Sequence, residues 1–366
     1  MVKKWPLLKE VWAAPFKHGW LPVSCQSMNR VTLGDVAKAA GVSRSAVSRN
    51  FTPGSYVSDE KRKLIGRVAK NLGYTPNRIA GSLRNGRTRL IGLVSDNYKN
   101  PAFLEVFDLL SRGLQAQGLL PVLINLSDEV EPDKSVRLLS RYSVEGVIIA
   151  SSTLPCEFPE AFRDAGIPVV HAFGRLLASP SINVVGIGNV ECGRMAAQKL
   201  IERGYRKVGF LGGPPTASST IDRIAGFSEV IGAAPDATMT YSFASKYSYE
   251  AGNAEMHRLM VKPLCEAYFC CDDAIAIGAI SALNSVGISV PDDVGIVGFN
   301  DMKIAGWQNF NLTTIRQPIE NIARASIELL TDVLQNKNCE ARAVRMPTEF
   351  VERGTLRCLN HANSTV

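Results

Sequence analysis

The chain has no CxxC pair and no regular cysteine spacing: Cys25, Cys156, Cys192, Cys265, Cys270, Cys271, Cys339 and Cys358 are scattered along 366 residues. This excludes a zinc ribbon or a secreted disulfide scaffold and leaves reduced thiols, several of them core fillers, as in cytoplasmic proteins. Cys265, Cys270 and Cys271 follow His257, but neighbouring residues of a strand point to opposite faces and do not share one ion, so no metal is expected. No apolar run approaches the roughly 18 residues of a membrane span. Lys9, Glu10, Pro15 and Lys17 interrupt the apolar stretch that an export signal needs. Neither GxGxxG nor GxxxxGK followed by Ser or Thr occurs, and Gly212 and Gly213 before two prolines do not replace them, so no nucleotide site is implied. Histidine is scarce, with four in all; His171 lacks a nucleophile elbow or an acid at triad spacing and reads as a satisfied polar group. No catalytic residue and no cofactor follow from these patterns, and the chain is not expected to be an enzyme.

What is present begins at residues 30 to 50, RVTLGDVAKAAGVSRSAVSRN. Thr32 caps a helix starting at Leu33, with Asp35 as its capping-box partner at the positive helix end. Leu33, Val36, Ala37 and Ala40 share one face, and Gly41 supplies the left-handed turn that ends the helix. Val42 plugs the gap. Ser43 caps a second helix with Ala46 and Val47 inward and Arg44, Ser45, Ser48 and Arg49 outward. Two short helices around a tight turn, the second with a polar and cationic outer face, fit the DNA major groove and can read it. A third helix is predicted over 59 to 72, capped by Ser58 and ended by Gly73. Its Leu64, Ile65, Val68 and Leu72 turn inward, while Lys61, Arg62, Lys63, Arg67 and Lys70 face solvent and phosphate.

The charge is uneven. Residues 30 to 89 hold 13 Lys and Arg against 3 Asp and Glu, residues 1 to 29 hold 4 against 1, and residues 90 to 366 hold 24 against 30. A basic head on a mildly acidic body is the electrostatic footprint of a nucleic-acid binder. Residues 1 to 29 contain Trp5, Trp12 and Trp20, interrupted by Pro6, Pro15 and Pro22. The native product is expected to begin at Met28, making this segment an upstream extension; the alternative is a basic arm that adds phosphate contacts. Residues 75 to 89 form a linker with one short helix, capped by Thr75 before Pro76, with Ile79 and Leu83 on one side among Arg78, Arg84, Arg87 and Arg89. An apolar tip on a basic helix suits a minor-groove wedge that unstacks a base step, with Leu83 as the wedge. The alternative is a helix packing Leu83 on its own domain.

The segments GVSRSAVSR, YVSDEKR, NLGYTPNRIAGSLRNGRTRLIGLV, LGGPP, VPDDVGIVGFND and LTTIRQPIE resemble, in order, those of the lactose-repressor family of bacterial transcription regulators. The resemblance runs from about residue 31 to 357. It implies that Arg44, Ser45 and Arg49 touch bases, that Asn77, Ile79, Ala80 and Leu83 belong to the hinge helix, and that Arg223 contacts an effector, as do Asp272 and Asn300.

Beyond residue 90, apolar runs alternate with helical periods, the mark of parallel sheets covered on both faces. Strands are expected at 90 to 94, 120 to 125, 146 to 150, 168 to 172, 207 to 211, 267 to 271 and 294 to 298. About 270 residues exceed one core, so two doubly wound parallel-sheet subdomains are expected. The resemblance implies a periplasmic-binding-protein-like arrangement: 90 to 187 plus 317 to 342 in one subdomain, 188 to 316 plus 343 to 357 in the other. A helix-turn-helix head (30 to 74) and hinge (75 to 89) precede this core, and a tail (358 to 366) without a leucine heptad follows it, supporting nothing beyond a dimer.

In open α/β sheets ligands sit off the carboxyl ends of strands. Asp96, Asn97, Asn100 and Phe103 follow the first strand; His171, Phe173 and Arg175 the fourth; Asp272 and Asp273, then Asn300 and Asp301, two later ones. Acids, amides and an arginine hold hydroxyls while a ring covers the apolar face of a sugar. Asp273 is expected to cap a helix beginning at Ala274, and Asp301 to end a turn. Relatives usually show Asn-Asp at 272 and 273, Asp-Asp at 300 and 301, and Asp-Asn at 188 and 189, where this chain has Asp-Asp, Asn-Asp and Gly-Asn. The expected protein is a cytoplasmic, dimeric regulator, a repressor, that grips a palindromic double-stranded operator and answers to a small sugar, sugar acid or polyol. A solute receptor of this fold would need an export signal, and an enzyme a catalytic constellation.

Overall fold

The computed structural model describes residues 31–52, 54–75, 88–98, 100–126, 132–155, 157–336 and 340–358. The chain divides after residue 85 into two compact units. The expectations for residues 1 to 29 and for Asn77, Ile79, Ala80 and Leu83 lie outside the described residues.

The first unit contains helices α1 (Leu33–Ala39), α2 (Arg44–Asn50) and α3 (Asp59–Asn71). The capping box at α1 is complete: Thr32 Oγ1 accepts from the Asp35 amide at 3.3 Å, and the Thr32 amide donates to Asp35 Oδ2 at 2.8 Å. Gly41, at φ +63°, makes the turn, and Ser43 Oγ accepts from the Ala46 amide at 3.2 Å to open α2. Val36, Val47 and Ile65 are completely buried between the three helices, with Ala37, Ala40, Ala46, Val57 and Ala69 around them. Two expectations for α3 are corrected. Ser58 sits at the cap position but makes no side-chain cap bond, and Leu64 and Leu72 are exposed. The seven-residue partners cover a single row of α3, centred on Ile65, Val68 and Ala69, and leave the flanking leucines outside.

The second unit holds two six-stranded sheets. The first runs β2 (Leu120–Asn125), β1 (Leu90–Ser95), β3 (Gly146–Ala150), β4 (Val169–Ala172), β5 (Asn183–Ile187), β11 (Ala343–Met346), all parallel. The second runs β7 (Thr238–Phe243), β6 (Lys207–Gly212), β8 (Ala267–Cys270), β9 (Gly295–Asn300), β10 (Thr314–Arg316), β12 (Glu349–Val351), with only the last pair antiparallel. Helices cover both faces of each sheet, so β1, β3, β4, β5, β8 and β9 are buried almost throughout, which is why they read as unbroken apolar runs. Side chains such as Leu93, Leu110, Phe210 and Phe269 fill the core; burying each contributes about 1.5–3 kcal/mol.

The strand at 343–346 belongs to the first sheet, where it pairs with β5, and not to the second as expected. Pro347 cannot donate to a ladder, so pairing stops there and the chain leaves for β12. The backbone therefore passes between the lobes three times: from β5 to helix α7 (Asn189–Glu202), from β10 to helix α11 (Ile319–Gln335), and from β11 to β12.

Candidate functional site

On the head, the outward face of α2 presents Arg44, Ser45 and Arg49 exposed, with Ser48 half-buried. The hydroxyls of Thr32 and Ser43 are already engaged in capping; Thr32 Oγ1 also donates to Asp35 Oδ2 at 2.7 Å, and Ser43 Oγ lies 2.9 Å from Ser45 Oγ. These bonds from Thr32, followed by the charges of Lys38 and Arg44, hold the Asp35 carboxyl below its usual range. Arg49 Nε donates back to the Ser45 carbonyl at 3.4 Å. The Arg44 guanidinium reaches over Gly34, where a Cβ would stand 3.0 Å from Nη2. Two guanidinium groups and two hydroxyls on one helix face are donors and acceptors of the kind that base edges in a major groove satisfy.

In the second unit a narrow cleft opens between the lobes. Arg223 lies in helix α8 (Ser218–Ala233), which presses on α7 through two glycines. A Cβ at Gly193 would meet the Arg223 carbonyl at 2.1 Å, and one at Gly226 the Val190 carbonyl at 1.9 Å. This close approach brings Asn189, the first residue of α7, under the arginine: Arg223 Nε donates to Asn189 Oδ1 at 2.9 Å and Nη1 to the Cys271 carbonyl at 2.8 Å. The guanidinium lies 3.5 Å from the centroid of the Phe299 ring and is almost completely buried.

Asp272 caps helix α10 (Asp273–Ser285): Oδ1 accepts from the Ala274 amide at 2.7 Å, and Oδ2 accepts from Asn100 Nδ2 at 2.9 Å and Asn300 Nδ2 at 2.8 Å. Burial raises its pKa against the pull of these donors and of Arg223. Asn300 also accepts from Gln317 Nε2. Its backbone stands at φ +117°, and the next residue, Asp301, is clamped by Arg316 at 2.7 Å and Arg353 at 2.6 Å. From the other lobe come Asn97, Phe103 and Phe173, the two rings 5.6 Å apart. The lobes are joined across the cleft by Asn100 to Asp272, by Arg175 to Asp222 at 2.6 Å and by Lys303 to Glu105 at 3.0 Å.

Residues 32–77 match the model of bacterial regulatory proteins, lacI family, and residues 197–356 that of a periplasmic binding protein-like domain. The HTH-type transcriptional regulator CelR of Thermobifida fusca is 31% identical over 333 residues, covering 88% of this chain and 98% of that protein. The chain belongs to the lacI family. The ribose operon repressor of Halalkalibacterium halodurans is 31% identical, covering 89% of this chain and 97% of its own. Two solved structures are also similar. The lac repressor dimer bound to operator and the anti-inducer ONPF shares 25% identity with a TM-score of 0.80 over 89% of this chain and 99% of that one. A CelR–cellobiose complex shares 29% identity with a TM-score of 0.66 over 89% and 100%. This lacI-family chain is a DNA-binding transcription regulator, and its relatives of that family are regulators and not enzymes.

Of the residues named from the sequence of this lacI-family protein, Asn97, Asn100, Phe103, Phe173, Arg223, Asp272 and Asn300 line the cleft together. Asp96 does not; it takes Ser151 Oγ at 2.8 Å and Thr153 Oγ1, fixing the loop after β3. His171 Nε2 donates to the Ser151 carbonyl at 2.9 Å. Arg175 is committed to Asp222, and Asp301 to its two arginines. The capping expectation is corrected by one residue. Asp272 is the cap, while Asp273 opens the helix and accepts from the Met302 amide at 2.7 Å and Thr314 Oγ1 at 2.6 Å. Sequence reasoning missed Ser152, Tyr247 and Gln317 on the cleft wall. Gln317 and Tyr247 follow β10, only three residues long, and β7, a half-exposed edge strand, neither of which shows an apolar run in the sequence, and Ser152 follows the end of β3.

Proposed function

We propose that this chain is a cytoplasmic repressor that binds a near-palindromic operator as a homodimer and is switched by a small polyhydroxylated ligand in the cleft. Arg44, Ser45 and Arg49 read bases; Thr32, Ser43 and Ser48 hold the backbone of the helix start and the neighbouring phosphates; Asn77, Ile79, Ala80 and Leu83 supply the hinge helix, with Leu83 as the wedge. Phe103 covers the apolar face of the ligand, and Arg223, Asp272 and Asn300 take its polar groups. The observation that carries this reading is the pairing of two features in one chain: a capped helix-turn-helix with an exposed guanidinium-and-hydroxyl face, and a two-lobed core whose cleft converges on a buried arginine. The operator-bound lac repressor and the cellobiose complex of CelR support it by similarity.

Gel-shift titration on the protein's own promoter region, combined with calorimetric titration of sugars and polyols, tests it. Arg49→Ala is expected to lower operator affinity and leave ligand affinity nearly intact, and Arg223→Ala to do the reverse. If both titrations moved together in either variant, this division of roles would be wrong.

A further inference from the structure

Resting on the reading of α2 as the base-contacting helix, we propose that Gly34 on α1 is a specificity-setting residue: having no side chain, it seats the Arg44 guanidinium and so sets the base preference of that arginine. Gly34 is the second residue of α1. On local grounds a glycine is a poor choice there, since alanine holds a helical backbone better. What it provides is room. A Cβ at this position would stand 3.0 Å from Arg44 Nη2, 3.3 Å from Nε and 3.4 Å from Cζ. Arg44 opens α2, and its long side chain reaches from there to the first turn of α1.

The two arginines of the outer face are held differently. Arg49 is tethered within its own helix, its Nε donating to the Ser45 carbonyl at 3.4 Å. Arg44 makes no hydrogen bond and no ion pair among the described residues; its guanidinium meets the bare backbone of Gly34 and feels the charge of Asp35 beside it. That carboxylate is itself fixed by the Thr32 amide at 2.8 Å and the Thr32 hydroxyl at 2.7 Å. It offsets the positive end of α1, which by itself would repel a guanidinium. The seat therefore aims the side chain without consuming any of its N–H groups, and these stay available for the edge of a guanine. An added methyl would leave the fold unstrained, because what it meets is the far end of a flexible side chain that can swing aside. The arginine would move. Stability and base reading are thereby separable.

The test is selection from a randomised duplex library by the full chain, followed by titration of the selected duplex and its single-base variants. The chains compared are wild type, Arg44→Ala, Gly34→Ala, Gly34→Leu and the double variant Gly34→Leu with Arg44→Ala. Arg44→Ala is expected to lose about tenfold of discrimination at one base pair of each half-site, a guanine in the wild-type profile. Gly34→Ala should relax that same base pair about threefold, and Gly34→Leu nearly as far as Arg44→Ala, with the other positions and the salt slope unchanged. The thermal midpoint of Gly34→Ala should be no lower than that of wild type. Gly66→Ala on α3, with nothing within 4 Å of the added atom, should leave the profile unaltered. In the double variant the leucine should add nothing to the loss that Arg44→Ala already causes. A preference kept intact at that base pair in Gly34→Leu, or a weakening over all positions that persists in the double variant, would overturn the role of Gly34 and leave the reading of α2 standing. If Arg44→Ala itself altered no position, the assignment of Arg44 as a base reader would fall.

Discussion

Asp273 and His171 are both sealed from solvent, and burial moves them in opposite senses. Asp273 is pushed up to about 7, mainly by desolvation against the bonds from Thr314 and Met302. His171 is pushed down to about 4, again by desolvation, opposed by its bond to Ser151 and the charge of Asp96. Between about pH 4 and 7 the folded chain holds a proton on Asp273 that the unfolded chain has released, so this group's stabilisation fades as pH rises. Between about pH 4 and 6.5 the unfolded chain binds a proton at His171 that the folded chain refuses, so that contribution grows with pH. Urea unfolding from pH 4.5 to 7.5 should therefore tilt relative to wild type toward greater stability at high pH in Asp273→Asn, and toward low pH in His171→Gln. Parallel profiles would show that neither group titrates as described. The residue types of the site were legible because the ends of strands were. The allocation of Asp272 and Asp273 was not: a helix can begin at either of two adjacent aspartates, and Met302 and Thr314, which settle the matter by engaging Asp273, are far along the chain. The glycine at 188 likewise gains meaning only in three dimensions, where a Cβ would stand 2.2 Å from Arg345 Nη2 and 2.3 Å from Glu191 Oε2, a pair already joined at 3.0 Å.

Among the elements, α1 shows how far local chemistry reaches. Its capping box and its glycine stop follow from residues within nine positions of each other, and they form as expected. Thr32→Ala should destabilise the head by about 1 kcal/mol, measured by thermal unfolding of helical signal in a head fragment or by lowered operator affinity of the whole chain. The packing of α7 on α8 is different, since nothing local says that Gly193 and Gly226 face each other. Gly193→Ala puts a methyl into the Arg223 carbonyl and should cost about 1–3 kcal/mol of stability while weakening cleft ligands, because Arg223 is displaced from Asn189. Gly232→Ala, near the end of α8 with nothing within 4 Å of the added atom, should do neither and serves as the control. The strands that escaped the sequence reading share a physical cause. β7 is an edge strand with half its residues exposed, β10 and β12 are three residues long, and β11 is an edge strand whose burial alternates. β5 also escaped, although it is fully buried, because its five residues follow a stretch of small and polar residues that hides where it starts.

For the whole molecule, the separation of a basic segment from an acidic remainder predicts the form of DNA binding. With six or more phosphates contacted, operator affinity should fall roughly a thousandfold between about 50 and 200 mM salt. A flat salt response would place the cations of α3 away from the duplex. Coupling is reciprocal, so an effector that weakens operator binding tenfold must itself bind the operator complex tenfold more weakly, whatever the route between the sites. The division into a helical head and two wound sheets was legible from hydrophobic period, charge and length; the return of residues 343–346 to the first sheet was not, because register between distant strands leaves no local trace. That triple passage has a consequence for dissection of the gene. Neither lobe is encoded by one uninterrupted stretch, so a stop codon anywhere before residue 343 strips the first sheet of its border strand and the second of its antiparallel closure in a single event. Fragments for study must instead be joined by engineered splices at 187, 317 and 347, or the two halves co-expressed.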